Sequence, residues 1–181
     1  MKDNLKHIVQ GCRKGDSKSQ KELYDRYAPL FMSMALRYMK VYEEAEDVMV
    51  MAFYKIFDKI NHFKGEGSFE GWVRRIMVNT CLSHLKRKNI FEYTDEEYVF
   101  NSETVENLES TSVEDIQKLI DELPNGYKVV FNLYAIEGYR HSEIAEMLNI
   151  SESTSKSQLF KARKWLQSSY LKMNKLGHEE R

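Results

Sequence analysis

The stretch HSEIAEMLNISESTSKSQLFKARKWL, His141 to Leu166, decides the fold. Ile144, Ala145 and Leu148 fall on one side of a short helix, Asn149 and Ile150 follow as a tight turn, and Leu159, Ala162 and Leu166 give a second helix its apolar side. A small Ala lets two helices cross closely, and Asn tolerates the left-handed backbone such a turn needs, so the pattern predicts a helix-turn-helix. Ser151 stands where its hydroxyl can accept a first-turn backbone N–H and cap the second helix. Lys156, Lys161, Arg163 and Lys164 occupy the rest of that helix, behind short polar residues. A helix fits the major groove of B-DNA with its N-terminal side chains toward base edges, and basic residues around it neutralise phosphates. The polar face therefore points to duplex DNA rather than to a plain helical hairpin.

Composition agrees with a helical chain. Only 8 Gly and 2 Pro in 181 residues leave little turn material for a sheet, and 42% hydrophobic with 30% charged residues suits amphipathic helices. The expected fold class is all-α, with two small helical domains joined by an acidic linker and the helix-turn-helix in the C-terminal one. The expected boundaries are 1–88 for the first domain, 89–111 for the linker, 112–176 for the second domain and 177–181 for a tail. The net charge of -1 hides an uneven distribution. The segment from Asn89 to Asp115 holds Glu92, Asp95, Glu96, Glu97, Glu103, Glu106, Glu109, Glu114 and Asp115 and no basic residue; the 28 acids less these nine leave 19 against 27 Lys and Arg. Two basic bodies joined by an acidic strap carry a nucleic-acid-binding balance. Cys12 and Cys81 form neither a CxxC pair nor a disulfide framework, which suits a reducing compartment. No apolar signal region opens the chain and no run is long enough to cross a bilayer, so a soluble, cytoplasmic protein without membrane insertion is expected.

In the first domain, Leu23, Tyr27, Leu30, Phe31, Met34, Ala35 and Tyr38 share one helical face, with Pro29 as an expected kink. Glu43 and Glu44 open the next helix, EEAEDVMVMAFYKIFDKI, where acids suit the positive end of the dipole. Its Met49, Met51, Phe53, Tyr54, Ile56, Phe57 and Ile60 exceed one buried stripe, so part of the surplus is expected to meet another protein. The acids Glu43, Glu44, Glu46 and Asp47 are open to three uses: metal ligation, helix capping or a partner face. Gly65 and Gly67 break the chain in NHFKGEGSF, and a third helix, EGWVRRIMVNTCLSHLKRK, ends in Lys86, Arg87 and Lys88. Around that break Phe63, Phe69 and Trp72 lie beside Arg74 and Arg75, and Asn79 offers a donor and an acceptor together. Aromatic faces with cations suit melted DNA, while Trp72, Ile76 and Cys81 suit a core equally well. The second domain opens with SVEDIQKLIDEL, stopped by Pro124 and Gly126, and continues in YKVVFNLYAIEG.

In this order the motifs resemble the extracytoplasmic-function group of bacterial sigma factors in the sigma-70 family, the small two-domain subunits that direct RNA polymerase to promoters. The resemblance covers roughly Ser19 to Met173. AEDVMVMAFYKIF resembles the helix that docks on the polymerase clamp, FKGEGSFEGWVRRIMVNTCLSHLKRK the stretch that melts and reads the minus-ten element, and YRHSEIAEMLNISESTSKSQLFKARKWL the helix-turn-helix that reads the minus-thirty-five element. It implies a clamp-facing set of Glu46, Asp47, Val50, Met51, Phe53, Tyr54 and Phe57. It implies a minus-ten set of Lys64, Trp72, Arg75, Asn79, Lys86, Arg87 and Lys88, in which Asn79 holds a flipped-out base and Trp72 is mainly structural. The minus-thirty-five set is Thr154, Ser155, Lys156, Ser157, Gln158, Phe160 and Lys161, with Arg163 and Arg140 on phosphates. Two positions depart from the group: Ser155 stands where an apolar Val or Ile is usual and Gln158 where Arg is common, leaving base preference open there. The TSKSQLFKARKWL form resembles that frequent in Bacteroidetes. The implied partners are core RNA polymerase, through its beta-prime clamp and beta flap, and promoter DNA, and the group commonly has an anti-sigma factor bound across both domains. The implied mechanism is binding without chemistry, with no catalytic residue, cofactor or metal.

Two other functions fit parts of the chain. An ordinary helix-turn-helix transcription regulator would not need the clamp-like segment followed by the Trp72 to Asn79 stretch. An all-α metal-dependent nucleotide pyrophosphohydrolase would use EEAED as a metal site, but needs a second acidic pair on a facing helix, and the nearest, Glu92 with Asp95, lies in the expected linker. His62, His84 and His141 have no second ligand type at a metal-binding spacing.

Overall fold

The structure, a computed structural model, describes residues 2–88 and 113–179. The expected linker, 89–111, lies outside the described residues, as do Glu92 and Asp95. The chain divides into two units, Met1–Lys88 and Asn89–Arg181. Among the described residues there are eight α-helices and no strand.

The first unit comprises α1 (Lys2–Arg13), α2 (Ser17–Tyr38), α3 (Tyr42–Lys59), a short 3₁₀ turn (Ile60–His62) and α4 (Phe69–Arg87). Asp16 starts α2: its carboxylate accepts the Ser19 N–H at 2.9 Å and the Ser19 hydroxyl at 2.5 Å, bonds that hold it below the ordinary carboxylate range. The α2 face of Leu23, Tyr27, Phe31, Met34, Ala35 and Tyr38 is buried, with Leu30 only half-buried. Pro29 lies on the exposed side, and α2 continues across it to Tyr38. That face packs against α1, α3 and α4. From α3 come Ala45, Val48, Met49, Ala52, Phe53 and Ile56, and from α4 Phe69, Val73, Met77, Val78, Cys81 and Leu85. Phe53, expected to face the polymerase, is 3% exposed, with its ring 5.0 Å from that of Phe31 and 4.6 Å from that of Tyr24. It belongs to the core, because its place on the helix is that of Met49 and Ile56, not that of Val50 and Tyr54.

Helix α1 is an element for which the motifs gave no signal. It buries Ile8, Val9 and Cys12, and burial pushes the Cys12 thiol up. Arg13 closes the unit by donating to the Ile60 carbonyl at 3.4 Å and to the Phe63 carbonyl. Gly11 marks the close approach of α1 to α2: a Cβ there would sit 1.9 Å from Ser19 Oγ and 2.6 Å from Ser19 Cβ.

The second unit comprises α5 (Val113–Glu122), α6 (Asn125–Phe131), a π-helical turn (Asn132–Ile136), α7 (His141–Leu148) and α8 (Glu152–Glu179). The break after α5 falls at Leu123 and Pro124. Gly126 is a buried residue inside α6 and does not interrupt the chain as expected. Ile120, Leu123, Tyr127 and Ala162 form the centre of the core, with Phe131, Trp165 and Leu166 against them. Lys128 is buried here and keeps its charge paired, donating to Asp121 Oδ1 at 2.8 Å. The last helix runs on through residue 179, past the boundary expected at 176.

Ala ordinarily stabilises a helix interior by about 1 kcal/mol over Gly. At position 11 the crowding against Ser19 outweighs this, and overpacking of this kind costs about 1 to 3 kcal/mol. Gly11→Ala is therefore expected to lower the stability of the chain in urea unfolding, where an uncrowded helical Gly→Ala change would raise it.

Candidate nucleic-acid and partner interfaces

Five residues of α4 that stay out of the core share a face. Trp72, Arg75, Asn79, Ser83 and Lys86 recur at helical spacing, and Arg75, Asn79, Ser83 and Lys86 are exposed. Ser68 starts the helix, its hydroxyl accepting the Gly71 N–H at 3.4 Å. Gly65 and Gly67 hold φ of 82° and 81° in the loop before it, a conformation that favours glycine. Trp72 is half-buried, its ring centroid 5.5 Å from Phe63 and 5.6 Å from Phe69, so it walls the loop as part of an aromatic cluster. Lys64 in the same loop is exposed.

The basic run at the end of α4 divides. Lys86 continues the Asn79 face. Lys88 turns to α3 and pairs with Glu44, whose carboxyl that bond holds below the ordinary range, and His84 Nε2 lies 3.7 Å from the same carboxylate. Arg87 lines a groove between α3 and α4 with Asp47, Val50, Met51, Tyr54 and Thr80. Thus Arg87 and Lys88, expected with the minus-ten set, stand on the α3 side of the helix.

Along that groove α3 carries its surplus apolar residues outward. Val50, Met51 and Tyr54 are exposed, Tyr54 by 67%, and Glu46 and Asp47 precede them on the surface. Phe57 is half-buried against Phe53. Lys55 reaches Thr80 Oγ1 at 3.3 Å; burial lowers its pKa, and the neighbouring Lys59 and Arg87 act in the same direction. Among the described residues no group of three or more His, Cys, Asp and Glu side chains could hold a metal ion. Glu44, one of the four acids open to metal ligation by sequence, is engaged by Lys88 and His84.

In the second unit α7 and α8 pack across a turn at Asn149, whose φ of 56° and ψ of 49° are left-handed. Ser151 Oγ accepts the Thr154 N–H at 2.9 Å and so caps α8. Glu143 reaches back to the Arg140 N–H at 2.9 Å at the start of α7. On α8, Lys156, Ser157, Phe160 and Arg163 are exposed or half-buried, Phe160 exposed by 61%, and Thr154 and Lys161 are half-buried; Arg140 is exposed beside α7. Lys156 is paired with Glu152 at 2.9 Å. Two of the residues expected to contact DNA lie on the inward side of α8. Ser155 is 0% exposed and Gln158 5% exposed, because they turn inward with Leu159 and Ala162. Ser155 Oγ lies 2.9 Å from His141 Nδ1, whereas Gln158 Oε1 has no hydrogen-bond partner. The sequence weighs His141 only as a metal ligand, and gives it no second ligand type at a suitable spacing. A polar residue at the apolar position of Ser155 was the available sign of a buried partner.

One unit thus carries an outward apolar groove beside a cationic aromatic face, and the other a helix-turn-helix. The family Sigma-70 region 2 matches residues 23–90, and Sigma-70, region 4, matches residues 113–166. The RNA polymerase sigma-H factor of Pseudomonas aeruginosa is 25% identical over 170 residues, covering 86% of this chain and 88% of its own length. The ECF RNA polymerase sigma-E factor of Haemophilus influenzae is 27% identical over 175 residues (89% and 92%), and the ECF RNA polymerase sigma factor SigW of Bacillus subtilis 26% over 178 residues (90% and 94%). The fold is similar to that of RpoE from Bartonella quintana in complex with the anti-sigma factor NepR (TM-score 0.53, 20% identity, 81% of this chain and 93% of that one). It is also similar to that of CnrH in complex with the cytosolic domain of CnrY (0.51, 16%, 90% and 94%). The chain belongs to the extracytoplasmic-function group of the sigma-70 family. It is an alternative sigma factor, which binds core RNA polymerase and directs promoter recognition, and not an enzyme. No helix among the described residues is long and apolar enough to cross a membrane.

Burial pushes the pKa of His141 below its ordinary 6.5; Lys156 and Arg163 act in the same sense and Glu152 opposes them. The unfolded chain therefore holds this proton more tightly than the folded one. The stability linked to His141 is complete above about pH 6.5 and is lost as pH falls through the lower folded value. Urea unfolding at about pH 7.5 and about pH 5.5 should show a larger acid loss for the wild-type chain than for His141→Phe.

Proposed function

We propose that α3 docks on the beta-prime clamp of core polymerase through Val50, Met51, Tyr54 and Phe57, with Glu46 and Asp47 at the edge of the contact. The observation that carries this is the outward apolar strip on α3, which the unit's own core does not cover. Beside it, the α4 face of Trp72, Arg75, Asn79 and Lys86, with Lys64 in the preceding loop, takes the melted minus-ten strand. Asn79 receives a flipped-out base, whose unstacking costs a few kcal/mol that a pocket and aromatic stacking offset. Arg87 and Lys88 then serve the α3 side of the unit. The helix-turn-helix takes the minus-thirty-five duplex through Thr154, Lys156, Ser157, Phe160 and Lys161, with Arg140 and Arg163 on phosphates. The second unit also meets the beta flap, the acidic segment 89–111 runs through the polymerase channels, and an anti-sigma factor covers the docking faces when the protein is held inactive. The place of action is the cytoplasm.

Pull-down and run-off transcription with core RNA polymerase of the source organism, on the DNA upstream of the chain's own gene, test this directly. Stable core binding with a new start site supports it; duplex binding without core binding assigns the chain to the ordinary regulators. Met51→Ser with Tyr54→Ser should leave the melting temperature nearly unchanged, since both side chains are exposed, and abolish core capture in the pull-down.

Lys156→Ala with Lys161→Ala should weaken minus-thirty-five duplex binding without unfolding the domain. The salt dependence should fall by about 0.9 in log–log slope for each phosphate that is no longer neutralised. Asn79→Ala should leave duplex and core binding intact and reduce promoter opening, read by permanganate reactivity of the minus-ten thymines.

A further inference from the structure

Ser155 and His141 form a polar contact between the inward face of α8 and the start of α7, and it sits beneath the surface assigned to the promoter duplex. Ser155 Oγ lies 2.9 Å from His141 Nδ1. The His141 ring stacks on Tyr134, with centroids 4.6 Å apart and planes at 22°, and the Arg163 guanidinium carbon lies 5.8 Å from the centre of the Tyr134 ring. Ser155, His141, Tyr134 and Arg163 thus form a continuous series from inside the helix-turn-helix to a cation on its surface. We propose that Ser155 and His141 are a matched positioning pair, which sets the seat of α8 on α7 and, through Tyr134, the placement of Arg163 for duplex binding. This rests on the minus-thirty-five assignment of α8 and replaces base contact by Ser155 with indirect control of the recognition helix.

The chemistry makes the pair mutually dependent. A serine hydroxyl both donates and accepts, so it satisfies Nδ1 whether the ring is neutral or protonated. An aliphatic side chain in its place would leave Nδ1 of the half-buried His141 without this partner, and a polar atom stranded by removal of one partner costs more than removal of both. The two single changes are unequal. Without His141, the Ser155 hydroxyl can turn to the carbonyl of Ser151 one turn back, as serines in helices do. Without the Ser155 hydroxyl, His141 Nδ1 loses this bond. Its charged neighbours Lys156 and Arg163 offer no acceptor, and Glu152, which does, is paired with Lys156.

The test is a mutant cycle in the full chain, using Ser155→Ala, His141→Phe and the two together, with Ser155→Thr as the variant that keeps the hydroxyl. Ser155→Ala removes one oxygen and is the change least able to unfold the domain; far-ultraviolet circular dichroism establishes that each variant is folded at the assay temperature. The probe is the minus-thirty-five duplex mapped by run-off transcription. Ser155→Ala is expected to weaken duplex binding about tenfold and to reduce the log–log salt slope by about 0.9, the share of one phosphate, as Arg163 loses its placement. The double variant should bind within about threefold of wild type, and Ser155→Thr likewise. Folded Ser155→Ala with wild-type affinity and salt slope overturns the proposal. So does a double variant as weak as Ser155→Ala when His141→Phe alone binds as wild type, because the two sites are then uncoupled. If the wild-type chain binds core polymerase but no duplex through α8, the minus-thirty-five assignment itself fails. The positioning role then falls with it, a result distinct from failed coupling in a chain that binds.

Discussion

An α-helix can bury only the stripe it turns toward its neighbours, and in α3 and α4 that constraint generates the two outward faces proposed to meet polymerase and melted DNA. Val48, Met49, Ala52, Phe53 and Ile56 meet the core, so Val50, Met51 and Tyr54 must face out. On α4, Val73, Met77, Cys81 and Leu85 face in, and Trp72, Arg75, Asn79 and Lys86 come to the other side in one line. The proposed partner face and the proposed nucleic-acid face are thus two consequences of one packing arrangement. A change that rotates either helix disturbs both.

The second unit applies the same rule with a tighter tolerance. Asn149 in the left-handed conformation ends α7, Ser151 starts α8 three residues before Thr154, and the angle between the helices is set within that short connection. The inner face of α8 then holds Leu159 and Ala162 with two polar residues, Ser155 and Gln158. A hydroxyl that bonds His141 is compatible with such burial because its desolvation is offset by the bond. Gln158 Oε1 is buried without such a bond among the described residues.

Charge is distributed by partner rather than by sign alone. Lys128 is buried and reaches the exposed Asp121, Lys88 with Glu44 closes the end of α4 onto α3, and Lys156 rests on Glu152 at the surface. Cations turned outward include Lys86 on the Asn79 face and Arg163 with Arg140 in the second unit. A net charge of -1 says little about these surfaces, since nine of the 28 acids lie, with no basic residue among them, in 89–115, mostly outside the described residues.

The sequence by itself determined the helical class, the helix-turn-helix with its Asn149 turn and Ser151 cap, and the order of motifs that marks the family. These depend on spacing and local capping, which neighbouring residues dictate. It also determined that α3 carries more apolar residues than one stripe can bury. Which of them are left over was decided only by tertiary structure: Phe53 goes in and Tyr54 out because of the angle at which α3 meets α2 and α4. The same holds for Lys86 parting from Arg87 and Lys88, and for Ser155 turning from the DNA side to His141, since a helical position has no inside until a neighbour supplies one. Helix α1 was missed for the same physical reason. Its short apolar set, Ile8, Val9 and Cys12, becomes a core face only where Gly11 lets it lie against Ser19 of α2.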